Sequence, residues 1–311
     1  MPTRKSPRKG SLQFWPRKRA AKFLPRVNWT HIDSDKKLKG FICYKAGMMS
    51  AAVKDNSPDS MTKDKQITIP VTVLECPPMK ILSVRLYKDG KVVSEVLAEG
   101  LDKELKKKIK LPKTSKKLDD VKLEYDDVKL ICYSVVKKTN MKKKPDLAEI
   151  GLTGSLEDKI SFAKENIGKE ISVNDVFEKD QLVDFRGLTK GKGLVGPVKR
   201  FGITLKSHKS EKGVRRPGSI GPWHPARVIF RVPMAGQLGM FTRCVYNSKI
   251  IDMGKSEDKL KNFKKYGDVK TDYIIVKGSV QGPSKRQLVA TCPLRETKKT
   301  KKQNFELVEL R

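Results

Sequence analysis

Apolar and polar residues alternate over much of the chain, and that alternation predicts strands. Gln66 to Cys76 (QITIPVTVLEC) sets Ile67, Ile69, Val71 and Val73 at every second position, the spacing of a strand with one buried face. Gly40 to Tyr44 (GFICY) is a short apolar strand. Lys80 to Lys88 and Lys91 to Ala98 flank Asp89-Gly90, a dipeptide that tolerates positive φ at both places and so predicts a tight hairpin. Asp127 to Val136, Ile171 to Phe177, Val198 to Leu205, Tyr273 to Val280 and Gln287 to Thr291 carry further strand patterns. Helical spacing is rarer. Leu101 to Ile109 predicts a short helix with Lys106, Lys107 and Lys108 near its carboxyl end, joined to the next strand by a solvated DDVKLEYDD connection. Ser155 and Asp158 form a capping pair ahead of Leu156, Ile160 and Ala163, which predicts a helix from Ser155 to Asn166. Many strands and few helices describe a mainly β protein with some α, built on a closed or partly closed barrel rather than a doubly wound sheet.

Charge adds what the pattern lacks. The 311 residues hold 68 Lys and Arg against 35 Asp and Glu, a net charge of +33, so a compact body repels itself unless a polyanion binds it. The excess is segregated. Residues 1–32 hold nine basic side chains, among them Arg4, Lys5, Arg8, Lys9, Arg17, Lys18 and Arg19, and no acid precedes Asp33. Pro2, Pro7, Pro16 and Pro25 oppose a helix there, which leaves an extended arm that an anion orders. Phe14, Trp15 and Phe23 set it apart from a merely solvating tail, because aromatic rings stack on bases. Phe185 to Ile250 holds fourteen Lys and Arg with Glu211 as its one acid. A smaller cluster, Lys298, Lys299, Lys301 and Lys302, fits plain solubility as well as it fits RNA contact.

Other chemistry finds little support. Cys43, Cys76, Cys132, Cys244 and Cys292 are odd in number and lack a CxxC pair, which points to a reducing compartment and away from zinc. No secretory apolar run and no membrane-length window occurs, so a soluble intracellular protein without a membrane partner is expected. Gly191, Gly193 and Gly196 spell G-x-G-x-x-G, but Pro197 follows at once and the kinase motifs are missing downstream. His31, His208 and His224 have no carboxylate or cysteine at ligand or triad spacing. Neither cofactor nor small-molecule substrate is expected, and the chain is not expected to be an enzyme. The competing readings are a nucleotide-dependent enzyme using Gly191 to Gly196 and a free nucleic-acid chaperone.

One resemblance is specific. GLTKGKGLVGPVKRFG (187–202), GSIGPWHPARV (218–228) and MAGQLG (234–239), in that order, resemble the universal L-three family of large-subunit ribosomal proteins. It continues through PRKGSLQFWPRKRA (7–20), FICYKAGM (41–48), LECPPM (74–79) and KGSVQGPSKR (277–286), nearly the whole chain. Trp223, Pro222 and the insert around residues 75–150 are similar to the archaeal and eukaryotic branch.

The resemblance implies a translation-protein-type barrel body with an inserted α/β segment, a long basic central extension and an extended amino-terminal arm. The expected divisions are an arm at 1–32, a body at 33–184, an extension at 185–250 with Trp223 near its tip, and a body remainder at 251–311. It implies a structural constituent of the cytoplasmic large ribosomal subunit, with ribosomal RNA and neighbouring subunit proteins as partners and the tip near the peptidyl-transferase centre. Each leg of the extension is about twenty residues, a reach of at most about 60 Å. The expected RNA contacts are the arm's Arg4, Lys5, Arg8, Lys9, Trp15, Arg17, Lys18 and Arg19. In the extension they are Lys190, Lys192, Lys199, Arg200, Lys206, His208, Lys209, Lys212, Arg215, Arg216, Trp223, His224, Arg227, Arg231, Gln237 and Arg243.

Overall fold

The computed structural model describes residues 10–112, 118, 124–209, 212–256 and 260–311. The chain divides into two compact units: Met1–Lys22 with Leu188–Thr242, and Phe23–Gly187 with Arg243–Arg311.

The second unit holds the barrel. Strand β1 (Gly40–Asp55) pairs with β2 (Gln66–Cys76), β2 with β11 (Asp272–Lys277), and β11 with β10 (Thr242–Lys255). From β10 the ladder passes to β7 (Leu182–Leu188), to β12 (Gln287–Thr291) and back to β1, closing a six-stranded ring. Closure leaves no free edge within the ring. β1 serves three partners in succession: its start pairs with β12, its length with β2, and its end with β13 (Phe305–Leu310) from Ala51↔Leu310 to Asp55↔Phe305. The expected five-residue strand is therefore sixteen residues long. Its register with β2 shifts between Lys45 and Gly47, and that bulge hides the continuation from a period-two pattern.

A second sheet lies between β2 and β7 in sequence, in the order β4-β3-β5-β6. β3 (Met79–Lys88) and β4 (Lys91–Leu97) form the expected hairpin, with φ of 50° at Asp89 and 71° at Gly90. β5 (Asp127–Ser134) and β6 (Leu147–Gly151) complete the sheet. Helix α1 (Leu156–Asn166) starts at the expected capping box, where the Asp158 backbone N–H donates to Ser155 Oγ at 3.2 Å and the Ser155 backbone N–H donates to Asp158 Oδ2 at 3.2 Å. One apolar core, including Phe41, Tyr44, Leu86, Ile150, Phe177 and Phe185, runs through barrel and insert alike. Glu75 is fully buried beside it and accepts from the Lys270 and Thr271 backbone N–H groups at 2.7 and 3.1 Å, and from Tyr266 Oη.

Four expected elements differ. Ile171 makes a single bridge to Met79, and the chain then forms a 3-10 turn at Val173–Asp175 because Ser172 and Asp175 cap one another. Val198 to Leu205 is not a strand: Pro197 at the first helical position and Gly202 at φ 64° enclose a short helix, α2 (Pro197–Phe201). Leu101 to Ile109 contracts to a 3-10 turn at Lys103–Lys107, anchored by buried Leu105. In the connection expected to be solvated, residues 119–123 lie outside the described residues, and Tyr125 packs against the main core.

Candidate nucleic-acid interface

The first unit is built on different physics. Residues 1–22 and 188–242 carry 19 Lys and Arg and a single acid, Glu211, which lies outside the described residues. Among its described residues, Leu188 and Phe201 are the only buried apolar side chains, so hydrogen bonds and ring contacts rather than a large apolar core organise it. It exposes Leu12, Phe14, Trp15, Leu194, Leu205, Ile220, Val228, Phe230 and Met234, and Trp223 is 88% exposed. In the second unit, by contrast, cations meet acids: Arg85 pairs with Glu95 at 2.8 Å and Glu149 at 3.1 Å, and Lys159 with Asp127 at 2.7 Å.

Local hydrogen bonds and one aromatic hub organise the first unit. Strands β8 (Gly193–Val195) and β9 (Gly236–Leu238) pair from Gly193↔Leu238 to Val195↔Gly236. At the base of this hairpin Gly239 has φ 79°, and a Cβ there would sit 1.9 Å from the Lys190 carbonyl oxygen, so only glycine fits. Arg200 crosses the gap between legs: its Nε donates to the Gln237 carbonyl at 3.0 Å and its Nη1 to the Met234 carbonyl at 3.0 Å. Burial lowers the pKa of this guanidinium from its ordinary value.

Phe201 is the hub. The Arg17 guanidinium carbon lies 4.9 Å and that of Arg200 5.2 Å from its ring centroid. The ring also fills the space beside Gly10, where a Cβ would approach to 2.9 Å. The Ala20 N–H donates to the Met240 carbonyl at 3.0 Å, and the Trp15 and Phe230 rings tilt at 54° with centroids 5.1 Å apart. Arm residues 10–20 thus belong with residues 200–240, although nearly two hundred residues separate them in sequence.

The expected contact residues fall into four groups. Arg4, Lys5, Arg8 and Lys9 lie outside the described residues. Trp15, Lys18, Arg19, Lys190, Lys192, Lys199, His208, Lys209, Lys212, Arg215, Arg216, Trp223, His224, Arg227 and Arg231 are exposed in the first unit. Arg17, Arg200, Lys206 and Gln237 are half-buried, and Arg17, Arg200 and Gln237 also hold the unit together. Gln237 Nε2 donates to the Leu238 and Gly239 carbonyls, both at 3.1 Å. Arg243 is exposed at the first position of the second unit's return segment. Sequence reasoning missed the roles of Phe201 and Gly239 and the exposure of Leu194. The available signal was a run of apolar residues within an acid-free segment.

The glycine motif has the wrong context for a dinucleotide or kinase loop. Its middle, Gly193–Val195, is strand β8, and the helix after Gly196 has five residues. The expected strand–loop–long-helix unit is missing at this place.

Comparison with known proteins agrees with this geometry. The family model described as Ribosomal protein L3 matches residues 1–311. The large ribosomal subunit protein uL3 of Methanococcus aeolicus is 44% identical over 323 residues, covering 99% of this chain and 96% of the relative. Its counterpart from Methanocaldococcus jannaschii is 41% identical over 301 residues (91% and 90%), and that from Methanobrevibacter smithii 41% over 314 residues (94% and 93%). A barrel whose companion unit carries nearly unopposed positive charge, matched over residues 1–311 by that family model and over most of its length by these archaeal sequences, belongs to the ribosomal protein L3 family.

Proposed function

We propose that this chain is a structural constituent of the cytoplasmic large ribosomal subunit, with the first unit embedded in ribosomal RNA and neighbouring subunit proteins against the rest. The observation that carries the reading is the composition of that unit: 19 cations and one acid in its sequence, and two buried apolar side chains among its described residues. RNA supplies what this composition lacks. Phosphates neutralise the cations, releasing counterions, and bases cover the exposed apolar side chains. In functional terms the arm corresponds to residues 1–32, the extension to 185–250 and the body to the remainder.

Trp223 stacks on or wedges between nucleotides near the peptidyl-transferase centre, and the flanking Pro222, Pro225 and glycines hold its turn stiffly while allowing close backbone approach. The role is architectural: the protein shapes RNA during assembly, and the RNA performs the chemistry. Trp223→Ala tests this. An 88% exposed side chain contributes little to the fold, so thermal unfolding should stay unchanged while a few ribosomal RNA nucleotides change chemical reactivity. Identical reactivity in mutant and wild-type subunits would refute the placement of the tip.

A further inference from the structure

The sheet of the second unit ends in an open edge. β13 is the last strand in its order and, among the described residues, pairs with β1 alone. Arg311 and Ser50 exchange both backbone hydrogen bonds, at 2.8 and 3.0 Å, and the Asn56 N–H donates to the Asn304 carbonyl at 3.0 Å. Bonded and non-bonded pairs alternate along an antiparallel ladder. Phe305 opposite Asp55, Leu307 opposite Val53 and Leu310 opposite Ala51 are therefore non-bonded pairs, and these three residues turn their backbone N–H and C=O groups away from β1. The edge offers a ladder about 20 Å long, the length of an ordinary strand.

The side chains of β13 hold the edge in place and give it a charge. Phe305 is buried with Ala51 and Val53 in the second apolar cluster, and Leu307 and Leu310 pack against it. Glu306 and Glu309 are exposed, and Val308, the extra residue where the register shifts opposite Ala52 and Val53, is 59% exposed. Each acid has one cation beside it: Lys54 stands opposite Glu306 in the ladder, and Arg311 lies 2.9 Å from Glu309. Asn56 Nδ2 also donates to Glu306 at 3.4 Å. A carboxylate has about four acceptor sites, so both keep room for further donors. These acids decide between occupants. They repel RNA phosphates, and a second copy of the edge would bring four glutamates together, the way edge strands discourage pairing with themselves. A basic strand is attracted.

We infer that the free edge of β13 receives, as an added strand, an extended lysine- or arginine-bearing segment of a neighbouring protein of the large subunit. Main-chain hydrogen bonds to Phe305, Leu307 and Leu310 supply the affinity, and Glu306 and Glu309 select a basic segment and fix its register. The inference rests on the ribosomal reading above and adds to it a protein contact on the face of the barrel sheet.

The test compares free protein with large subunits purified from cells, for wild type and for the double variant Glu306→Gln with Glu309→Gln, by deuterium exchange on the peptide 304–311. In wild type the Phe305, Leu307 and Leu310 amides should exchange at least roughly tenfold more slowly in the subunit than in free protein. The double variant should lose roughly five- to tenfold of that protection, while its Arg311 amide, bonded to the Ser50 carbonyl, keeps the wild-type rate in free protein. A carbodiimide added to wild-type subunits should join the carboxyl of Glu306 or Glu309 to a lysine amine as an amide, the reagent leaving as its urea. That lysine should belong to another protein of the subunit, in a segment with two or more Lys or Arg in about six residues. This readout stands even where the double variant fails to enter subunits. Equal exchange in free protein and subunit, protection unmoved by the double variant, or cross-links confined to lysines of this chain's own sequence would overturn the inference. Wild-type protein absent from subunits would instead overturn the ribosomal reading beneath it.

Discussion

Replacing Phe201 by Ala should detach the arm from the extension without touching the barrel. Phe201 is 5% exposed and is one of two buried apolar side chains among the described residues of its unit. A buried Phe→Ala change costs about 3–5 kcal/mol, and the lower end applies because so small an assembly relaxes into the space. The two guanidinium contacts, at 4.9 and 5.2 Å, contribute about 0.5–1 kcal/mol each at a partly wetted site and are included in that figure. A loss of about 3 kcal/mol multiplies the opened population by roughly a hundred. Hydrogen exchange on the free protein reads this at the Ala20 amide, bonded to the Met240 carbonyl, with the Ile274 amide of β11 as the internal control. Ala20 should exchange roughly a hundredfold faster in the variant and Ile274 at its wild-type rate. Phe201→Leu, which keeps most of the burial and loses the ring, should produce a smaller change. An unchanged Ala20 rate would refute the hub, and equal acceleration at both amides would refute its confinement to the first unit.

Three further outcomes follow from the same geometry. Gly239→Ala should disrupt the β8–β9 hairpin at a cost of at least about 2 kcal/mol, since its Cβ meets the Lys190 carbonyl oxygen and its φ is 79°. Loss of protection at the Lys192 amide, bonded to the Leu238 carbonyl, reads it. Glu75→Gln should lower barrel stability by about 2 kcal/mol, because the oxygen that accepts from Tyr266 Oη becomes an amide N–H donor, and a denaturant midpoint equal to wild type would contradict this. The Asp158 carboxyl is held down to about 2 by hydrogen bonds from Lys37 and Ser155. Its support of the α1 amino terminus is therefore complete at neutral pH, declines as pH falls below about 4 and is lost near its folded value. Amide exchange at Asp158 across that range checks the direction, and a cap that weakens as pH rises would contradict it.

The barrel was legible where one face alternates cleanly and turn chemistry is local. Gln66–Cys76, Gln287–Thr291, the Asp89-Gly90 hairpin and the Ser155 cap all fall where the sequence puts them. It was illegible where pairing is set from outside the strand. β10 starts with TRCVYNSK, which has no apolar face of its own; the strand neighbours β7 and, from Ile250 to Lys255, pairs with β11. The bulge in β1 likewise broke the period that its three partners maintain. The first unit, Met1–Lys22 with Leu188–Thr242, lies within the two segments where positive charge is concentrated, and charge needs no fold to be read. The joining of Gly10 and Arg17 to Phe201 left no local trace, because contacts so distant in sequence have no periodicity.

The most direct test of the central claim is sedimentation of native extract through gradients at moderate and high salt, with and without ribonuclease, with the chain located by mass spectrometry. The chain should migrate with the large subunit at both salt concentrations and leave it after ribonuclease: salt weakens phosphate contacts, so retention at high salt requires the base contacts proposed for the first unit. Recovery mainly in the free fraction under every condition would contradict the account.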